Sequence, residues 1–517
     1  MRSLSPTEYR LMLPMVELTI FALGILLIDL MIPRGWKWIN AAGAFVGVAF
    51  SALCVWQIQS TLGPRAYLVG FYNSLLVDRF AIYFWYLFLA GAAIAIVGSV
   101  HYLDTEDEQH GEYYALMLLS VAGMMCMAAG VDVVLIFIGL ELMAISTYVL
   151  VGFLRRDRRS NEAALKYMLL GAFSSGIFAY GLSLLYGISG STNLADIERA
   201  VSAQNPHNPV VVIALLTTMV GLLFKIAAVP FHQWAPDAYE GAPTSITGFM
   251  SVAVKAAGWA MLLRILGYPV FIFPRGVAVL GLYPLRGVYT PVMVVVAIAT
   301  MTYANFAALT QTNTKRLLAY SSIAHVGYML LAFVAMGTSQ IGSAGFNDGF
   351  KGILIYLLVY TFMNLGAFAV ITSLRQRNVI GDELDDMAGL YQRAPVEAVL
   401  MLLFLLSLAG IPPAAGFLGK YYIFLSLIES GHYGLASLGV LYSLFGLYYY
   451  LKIANSMLMR SPMETGRLPV SIGMRCAVGV AALATIVIGV YPEPFIRGVN
   501  WSLNIAQAAP HVAAMIK

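Results

Sequence analysis

Apolar residues run in long unbroken blocks along this chain, and polar residues collect between them. Blocks of spanning length occupy about 11–32, 39–58, 76–99, 112–130, 132–154, 162–187, 208–234, 242–267, 288–309, 315–337, 350–374, 395–428, 433–457 and 471–491. About twenty such residues carry an α-helix across the hydrocarbon core of a bilayer. A transmembrane β-strand needs only about 9–11 residues and alternates in polarity, so the pattern excludes a membrane barrel. The fourteen blocks predict fourteen membrane helices, numbered 1 to 14 in chain order. Arg2 and Arg10 precede the first block as they would in a secretory leader. No small-residue cleavage site follows and the run continues to Ile32, so a retained first helix is expected.

Composition agrees. Of 517 residues 60% are apolar and only 11% charged, against about 25% charged in a soluble chain. So few charges cannot cover a soluble surface of this size. The longest polar stretches, near 191–207, 268–287 and 375–394, are too short for a soluble domain. The net charge of +4 is spread over many loops, which excludes a nucleic-acid surface. Cys54, Cys126 and Cys476 lie far apart in apolar runs and read as buried small apolar residues. Their spacing excludes a disulfide framework and a cysteine-ligated zinc or iron–sulfur site within the chain.

Basic residues set the expected orientation. Loops after odd-numbered helices hold Arg34, Lys37, Arg155, Arg156, Arg158, Arg159, Lys315, Arg316, Arg375, Arg377, Arg393, Arg460 and Arg467. Loops after even-numbered helices hold only Arg65, Arg199, Arg275 and Arg286. The positive-inside rule makes the odd loops cytoplasmic and turns both termini outward. The acidic stretch Asp104–Glu108 also falls inside, but acidic residues count little in that rule.

Charges inside the apolar runs carry the candidate chemistry. Of nine lysines, Lys37, Lys315, Lys452 and Lys517 lie in loops or at helix ends and Lys351 opens a span, whereas Lys166, Lys225, Lys255 and Lys420 lie within spans. A lysine at the centre of a membrane helix costs about 2.5–3.5 kcal/mol on insertion scales. Lys166 is shallow enough to snorkel; Lys225 and Lys255 are not. Glu141, inside helix 5, is the natural counter-charge, ahead of Glu17 and Asp29 in helix 1. His232 and His325 are further groups able to transfer a proton. Several such residues in one chain point to a proton or ion pathway, beside the plainer reading of structural ion pairs.

Breakers stand beside these charges. Helix 7 reads Lys225-Ile226-Ala227-Ala228-Val229-Pro230-Phe231-His232, and helix 12 reads Gly410-Ile411-Pro412-Pro413-Ala414-Ala415-Gly416-Phe417-Leu418-Gly419-Lys420. Proline removes a backbone donor, and freed backbone at membrane depth survives where it is buried or lines a wet cavity. Helices 4–8 and 9–13 are each five spans long, so the second set is inverted, and helices 7 and 12 are their fourth members. The expected fold is an all-α polytopic membrane protein with two inverted five-helix repeats and broken helices 7 and 12. Its divisions are 1–111 (helices 1–3), 112–267 (first repeat), 288–458 (second repeat) and 459–517 (helix 14). The stretch 410–420 is not a phosphate loop: Ala414 replaces the first glycine and Tyr421 the Ser or Thr after the lysine.

These stretches carry a family resemblance. Arg159-Ser160-Asn161-Glu162-Ala163-Ala164-Leu165-Lys166-Tyr167, Pro230-Phe231-His232-Gln233-Trp234-Ala235-Pro236-Asp237 with Tyr239-Glu240-Gly241-Ala242-Pro243, and Lys315-Arg316-Leu317-Leu318-Ala319-Tyr320-Ser321-Ser322 resemble the antiporter-like membrane subunits of bacterial NADH:quinone oxidoreductase, respiratory complex I. The resemblance covers about residues 75–460. Lysine in Gly416-Phe417-Leu418-Gly419-Lys420 is similar to one branch of that family; another typically has glutamate there. The resemblance implies Glu141 and Lys225 as a proton-channel pair, Lys255 as central relay and Lys420 as distal site, with Lys166, His232 and His325 accessory. It implies a place in the bacterial inner membrane beside other complex I membrane subunits, neighbouring antiporter-like subunits included. It implies no cofactor in this chain, with FMN, iron–sulfur clusters and quinone in partner subunits.

Burial disfavours a charged ammonium and a nearby carboxylate favours it, so a lysine held between the two can load and release a proton. The expected function is proton translocation coupled to redox chemistry elsewhere. The rivals are a subunit of a multi-chain sodium/proton antiporter, a ferredoxin-linked photosynthetic relative, and a scaffold that passes no protons.

Overall fold

The computed structural model describes residues 6–63, 67–267, 270–272, 277–279, 281–375, 381–462, 466 and 470–503. Arg2, Arg65, Arg275, Arg377, Arg467 and Lys517, read above as loop or terminal residues, lie outside these. Among the described residues, thirteen helices are long and apolar enough to cross a membrane. They are helix 1 (Pro6–Asp29), 2 (Trp38–Leu62), 3 (Arg79–Glu106), 4 (Gly111–Ala129), 5 (Val133–Val151), 6 (Arg158–Ser189), 7a (Pro209–Ile226), 8 (Thr244–Gly267), 9 (Arg286–Leu309), 10 (Thr314–Thr338), 11 (Ala344–Ser373), 13 (Tyr433–Met459) and 14 (Ile472–Val490). The twelfth crossing is made jointly by two 15-residue halves, 12a (Pro395–Ala409) and 12b (Ala415–Glu429). Helix 7a continues after its break as 7b (Trp234–Gly241). The fourteen blocks therefore all appear.

Boundaries follow side-chain caps. Asp78, Asp132, Asp157, Asn208, Asn313, Ser343 and Ser471 each accept a backbone N–H in the first turn of the helix they precede, as N-cap residues do. Helix 3 runs to Glu106, beyond the expected end at 99, because its polar last turns project past the apolar block.

Neighbour relations repeat along the chain. Helix 4 packs on 5 and helix 9 on 10; helix 6 packs on 7a and 7b, and helix 11 on 12b and 12a. At the seam, helix 8 packs on helix 11 and 7b on helix 10. Helices 8 and 10 are buried throughout, whereas helices 1 and 13 keep much of their surface exposed. Large exposed apolar side chains on helices 1, 2, 6, 13 and 14 suit lipid or neighbouring chains.

The odd-numbered loops meet at one end of the bundle. Asp29 pairs with Lys37 (2.8 Å), Arg155 with Glu112 (3.2 Å) and Arg460 with Asp385 (2.7 Å), while Arg375 pairs with Glu106. The acidic stretch is thus offset by a basic loop. Lys315 and Asp382 approach to 3.4 Å, and Lys315 Nζ also donates to the Ala242 carbonyl at 2.8 Å. Lys315 thus stands at a helix end, in the first turn of helix 10, and is buried. Burial raises the Asp382 carboxyl above its ordinary range, against the opposing pull of Lys315. The opposite end carries a hairpin of β1 (Tyr67–Gly70) and β2 (Leu75–Asp78), whose Asn73 carbonyl accepts from Asn193. A second short hairpin pairs β3 (Val270–Ile272) with β4 (Val277–Val279). Cys54 is buried and Cys126 half-buried, but Cys476 is exposed, contrary to expectation, because the part of helix 14 that carries it faces outward.

Candidate functional site

Helix 7a ends at Ile226, one residue after Lys225. Ala227 adopts a left-handed conformation, its N–H bonds the Phe224 carbonyl, and Ala228 N–H bonds that of Leu223, the arrangement that closes helix C-termini. Val229 N–H donates to Thr300 Oγ1 at 3.0 Å, and the Trp234 indole donates to the Phe224 carbonyl at 2.9 Å. The freed backbone is thus held by helix 9 and by 7b. Lys225 is 2% exposed and its Nζ has no hydrogen-bond partner. It lies 5.6 Å from the centre of the Tyr148 ring. Glu141 and Tyr148, two turns apart on one face of helix 5, both address Lys225. Glu141 Oε1 and the Tyr148 hydroxyl are likewise buried without a partner. The pair faces across the site without closing to an ion pair, and the Glu141 carboxylate acts on the Lys225 ammonium through space. The ammonium also sits at the negative end of the 7a dipole.

Lys225 backs onto helix 8. A Cβ at Gly258 would meet Ile226 Cγ2 at 3.1 Å and the Lys225 backbone and Cβ at 3.4 Å, so the two helices lie in close contact here. One turn earlier, Lys255 is 2% exposed and donates from Nζ to Ser322 Oγ of helix 10 at 2.5 Å, 5.6 Å from the Tyr239 ring centre. Helix 8 loosens into π-helical turns on both sides of Lys255, at Met250–Val254 and Leu263–Gly267, a form frequent at functional sites.

Helix 12 breaks at 410–414, and Lys420, 6% exposed in 12b, reaches back to donate to the Ala409 carbonyl of 12a at 2.8 Å. Its ammonium lies 5.1 Å from the Tyr328 ring centre. Lys225 immediately precedes its break, whereas Lys420 follows its own and reaches back to it with its ammonium. His325, buried in helix 10, is within electrostatic reach of both Lys255 and Lys420.

The accessory residues separate. Lys166 is 47% exposed and pairs with Glu162 and Asp237, each at 2.9 Å. With Arg159, Glu240 and Arg316 it lines a charged pit at the odd-loop end. Lys166 therefore lies outside the buried line. His232 sits in the helix 7 break against Tyr303, ring centres 4.6 Å apart. Glu17 accepts from Cys54 Sγ at 3.1 Å, and Asp29 is taken by Lys37; neither reaches a buried lysine of the line. Sequence reading missed Ser322, the partner of Lys255, since hydroxyl residues do not stand out in apolar runs. It also missed Arg264 of helix 8, whose Nη atoms grip Asp78 at 2.7 and 2.9 Å in a fully buried pair.

Residues 130–446 match the family model described as NADH:quinone oxidoreductase/Mrp antiporter, transmembrane. NADH-quinone oxidoreductase subunit N 1 of Koribacter versatilis is 60% identical over 513 residues, 97% of each chain. A chain of respiratory complex I from Thermus thermophilus with bound aureothin is 30% identical and superposes with a TM-score of 0.75, covering 94% of this chain and 98% of its own. A chain of the Mrp complex from a Dietzia species reaches a TM-score of 0.81 at 18% identity, with 98% and 99% covered, and shares the fold.

Proposed function

As this chain belongs to the subunit N family of NADH-quinone oxidoreductases, we propose that it translocates protons within such a complex. Glu141, Lys225, Lys255 and Lys420 carry the protons, while partner subunits hold the flavin, the iron–sulfur clusters and the quinone. The observation that carries this reading is the line of three lysines in the bundle interior. Each stands beside a helix break or π-helical turns, and Lys225 has no hydrogen-bond partner. A buried ammonium with neither counter-ion nor hydrogen bond costs too much to keep for packing alone. Lys225 loads a proton while the Glu141 carboxylate favours its charge; weakening that influence sends the proton through Lys255 towards Lys420. Residues 112–267 and 288–458 act as the two inverted repeats. The end gathering the odd-numbered loops faces the cytoplasm, and both termini face the periplasm of the bacterial inner membrane.

The test uses the assembled complex in vesicles with NADH and quinone. Lys225→Ala is expected to assemble and to lose most pumping-coupled turnover. Lys225→Arg should also be poor, since arginine stays protonated and cannot release its proton. Normal coupled turnover in an assembled Lys225→Ala complex overturns the assignment and favours the scaffold. Sodium transport independent of NADH and quinone favours the antiporter instead.

A further inference from the structure

The buried line has a gap. Lys255 reaches Ser322, but no side chain so far carries a proton from that point to Lys420. The space is filled by hydroxyls around one imidazole. Tyr450 of helix 13 hydrogen-bonds His325 Nε2 at 2.9 Å, and the same hydroxyl bonds Ser321 Oγ. Tyr356 of helix 11 bonds the other ring nitrogen, Nδ1. The Tyr356 ring packs directly on Gly419, where a Cβ would meet Cδ2 at 2.5 Å, and so adjoins Lys420. All four side chains are buried.

Hydrogen-bond rules make this arrangement directional. A neutral imidazole donates from one nitrogen and accepts at the other, so one tyrosine must donate to His325 while the other accepts. Each hydroxyl can do either. The cluster therefore has two orientations, which differ by the transfer of one proton across the ring.

We propose that Tyr450 and Tyr356 are proton-carrying residues flanking His325, joining the Lys255–Ser322 side to the Lys420 side. This rests on the reading above. In the loading orientation Nδ1–H donates to the Tyr356 oxygen and Tyr450 O–H donates to Nε2. A proton arriving through Ser321 is taken by the Tyr450 oxygen as Tyr450 passes its own proton to Nε2. The imidazolium then gives its Nδ1 proton to the Tyr356 oxygen, and Tyr356 releases its own toward Lys420. Each hydroxyl ends with one proton and the ring is neutral again, so one proton has moved. The ring now carries its hydrogen on Nε2, and hydroxyl rotation with return of the tautomer must reset the cluster.

The test is Tyr450→Phe and, separately, Tyr356→Phe in the assembled complex in vesicles, with Lys255→Ala and, as a control outside the line, Tyr86→Phe of helix 3, whose hydroxyl bonds Gln59 of helix 2. Both relay changes keep the ring and its packing and remove only the hydroxyl. Assembled complexes of each should lose coupled turnover by about a hundredfold, the lower end of what a positioned proton-transfer side chain contributes. What remains should show a larger solvent deuterium isotope effect than the parent, which a loss of packing alone would not produce. Tyr86→Phe should stay near the parent. Parental pumping in both assembled tyrosine variants, with pumping lost in Lys255→Ala, overturns the relay and leaves the wider reading standing. Parental pumping in Lys255→Ala removes both. Loss of turnover in the tyrosine variants with an unchanged isotope effect overturns the relay in favour of a packing role.

Discussion

Lys225 and Glu141 face each other without touching, and that separation is what a switchable pair requires. A closed, hydrogen-bonded pair would hold its proton; an open one can be tuned by small approaches of the carboxylate, because Coulomb energy changes steeply at short range in a poorly screened interior. Glu141→Asp keeps the charge and shortens the reach, so most coupled turnover should survive. Glu141→Gln keeps the shape and removes the charge, and should cost more. Turnover of both at matched assembly checks this, and a Gln variant equal to the parent would make Glu141 a packing residue. At this scale the sequence is legible where an isolated charge interrupts an apolar run, which is why Glu141, Lys225, Lys255 and Lys420 stand out. It is not legible for Ser322, Tyr356 or Tyr450, whose side chains suit lipid, core or relay alike. Only the fold brings helices 10, 11 and 13 together around His325. Lys166 reads like the others in one dimension, yet two acidic neighbours hold it at the bundle's edge.

Helix positions were readable because a bilayer imposes one length on every crossing, and because each proline break lies beside a lysine. Short polar-ended elements obey no such rule, so the β1–β2 hairpin and the amphipathic helix Glu493–Leu503 had no signal in the hydrophobic pattern. The hairpin is more than a connector. Its last residue, Asp78, caps helix 3 by accepting from Ala81 N–H at 2.8 Å and also takes both Nη atoms of Arg264. Arg264 in turn donates to the Ala128 carbonyl and lies over the Phe80 ring at 4.6 Å. One ion pair thus ties helices 3, 4 and 8 at the π-helical end of helix 8, close to Lys255 along the chain. Breaking a fully buried pair from one side costs about 3–5 kcal/mol. Lysine cannot reproduce the two-pronged grip. Arg264→Lys and Asp78→Ala should therefore both lower the thermal midpoint and the yield of assembled complex. Unchanged midpoints would show that the clamp is dispensable.

Across the whole molecule, helices 7b and 8 of the first repeat press against helices 10 and 11 of the second, and the buried line crosses that seam through Lys255 and Ser322. Its far end is Lys420, and two roles compete there. As a relay, Lys420 takes protons from the His325 side; as a fixed anchor, it would pair with a carboxylate on an abutting subunit. Its burial and its bond to the Ala409 carbonyl favour the relay, since the ammonium is turned inward to its own chain. Lys420→Glu separates the two. A carboxylate beside the carbonyl end of 12a meets the negative pole of a helix and favours its protonated form, which can still donate to Ala409 and still titrate. The family branch with glutamate at this place points the same way. Assembled Lys420→Glu complex should keep partial pumping, while Lys420→Met, unable to titrate, should lose it. An anchor gives the opposite: Lys420→Glu would set like charges together and prevent assembly, while Lys420→Met would pump normally. That pair of results, read from proton uptake by vesicles at matched NADH oxidation, would remove Lys420 from the path.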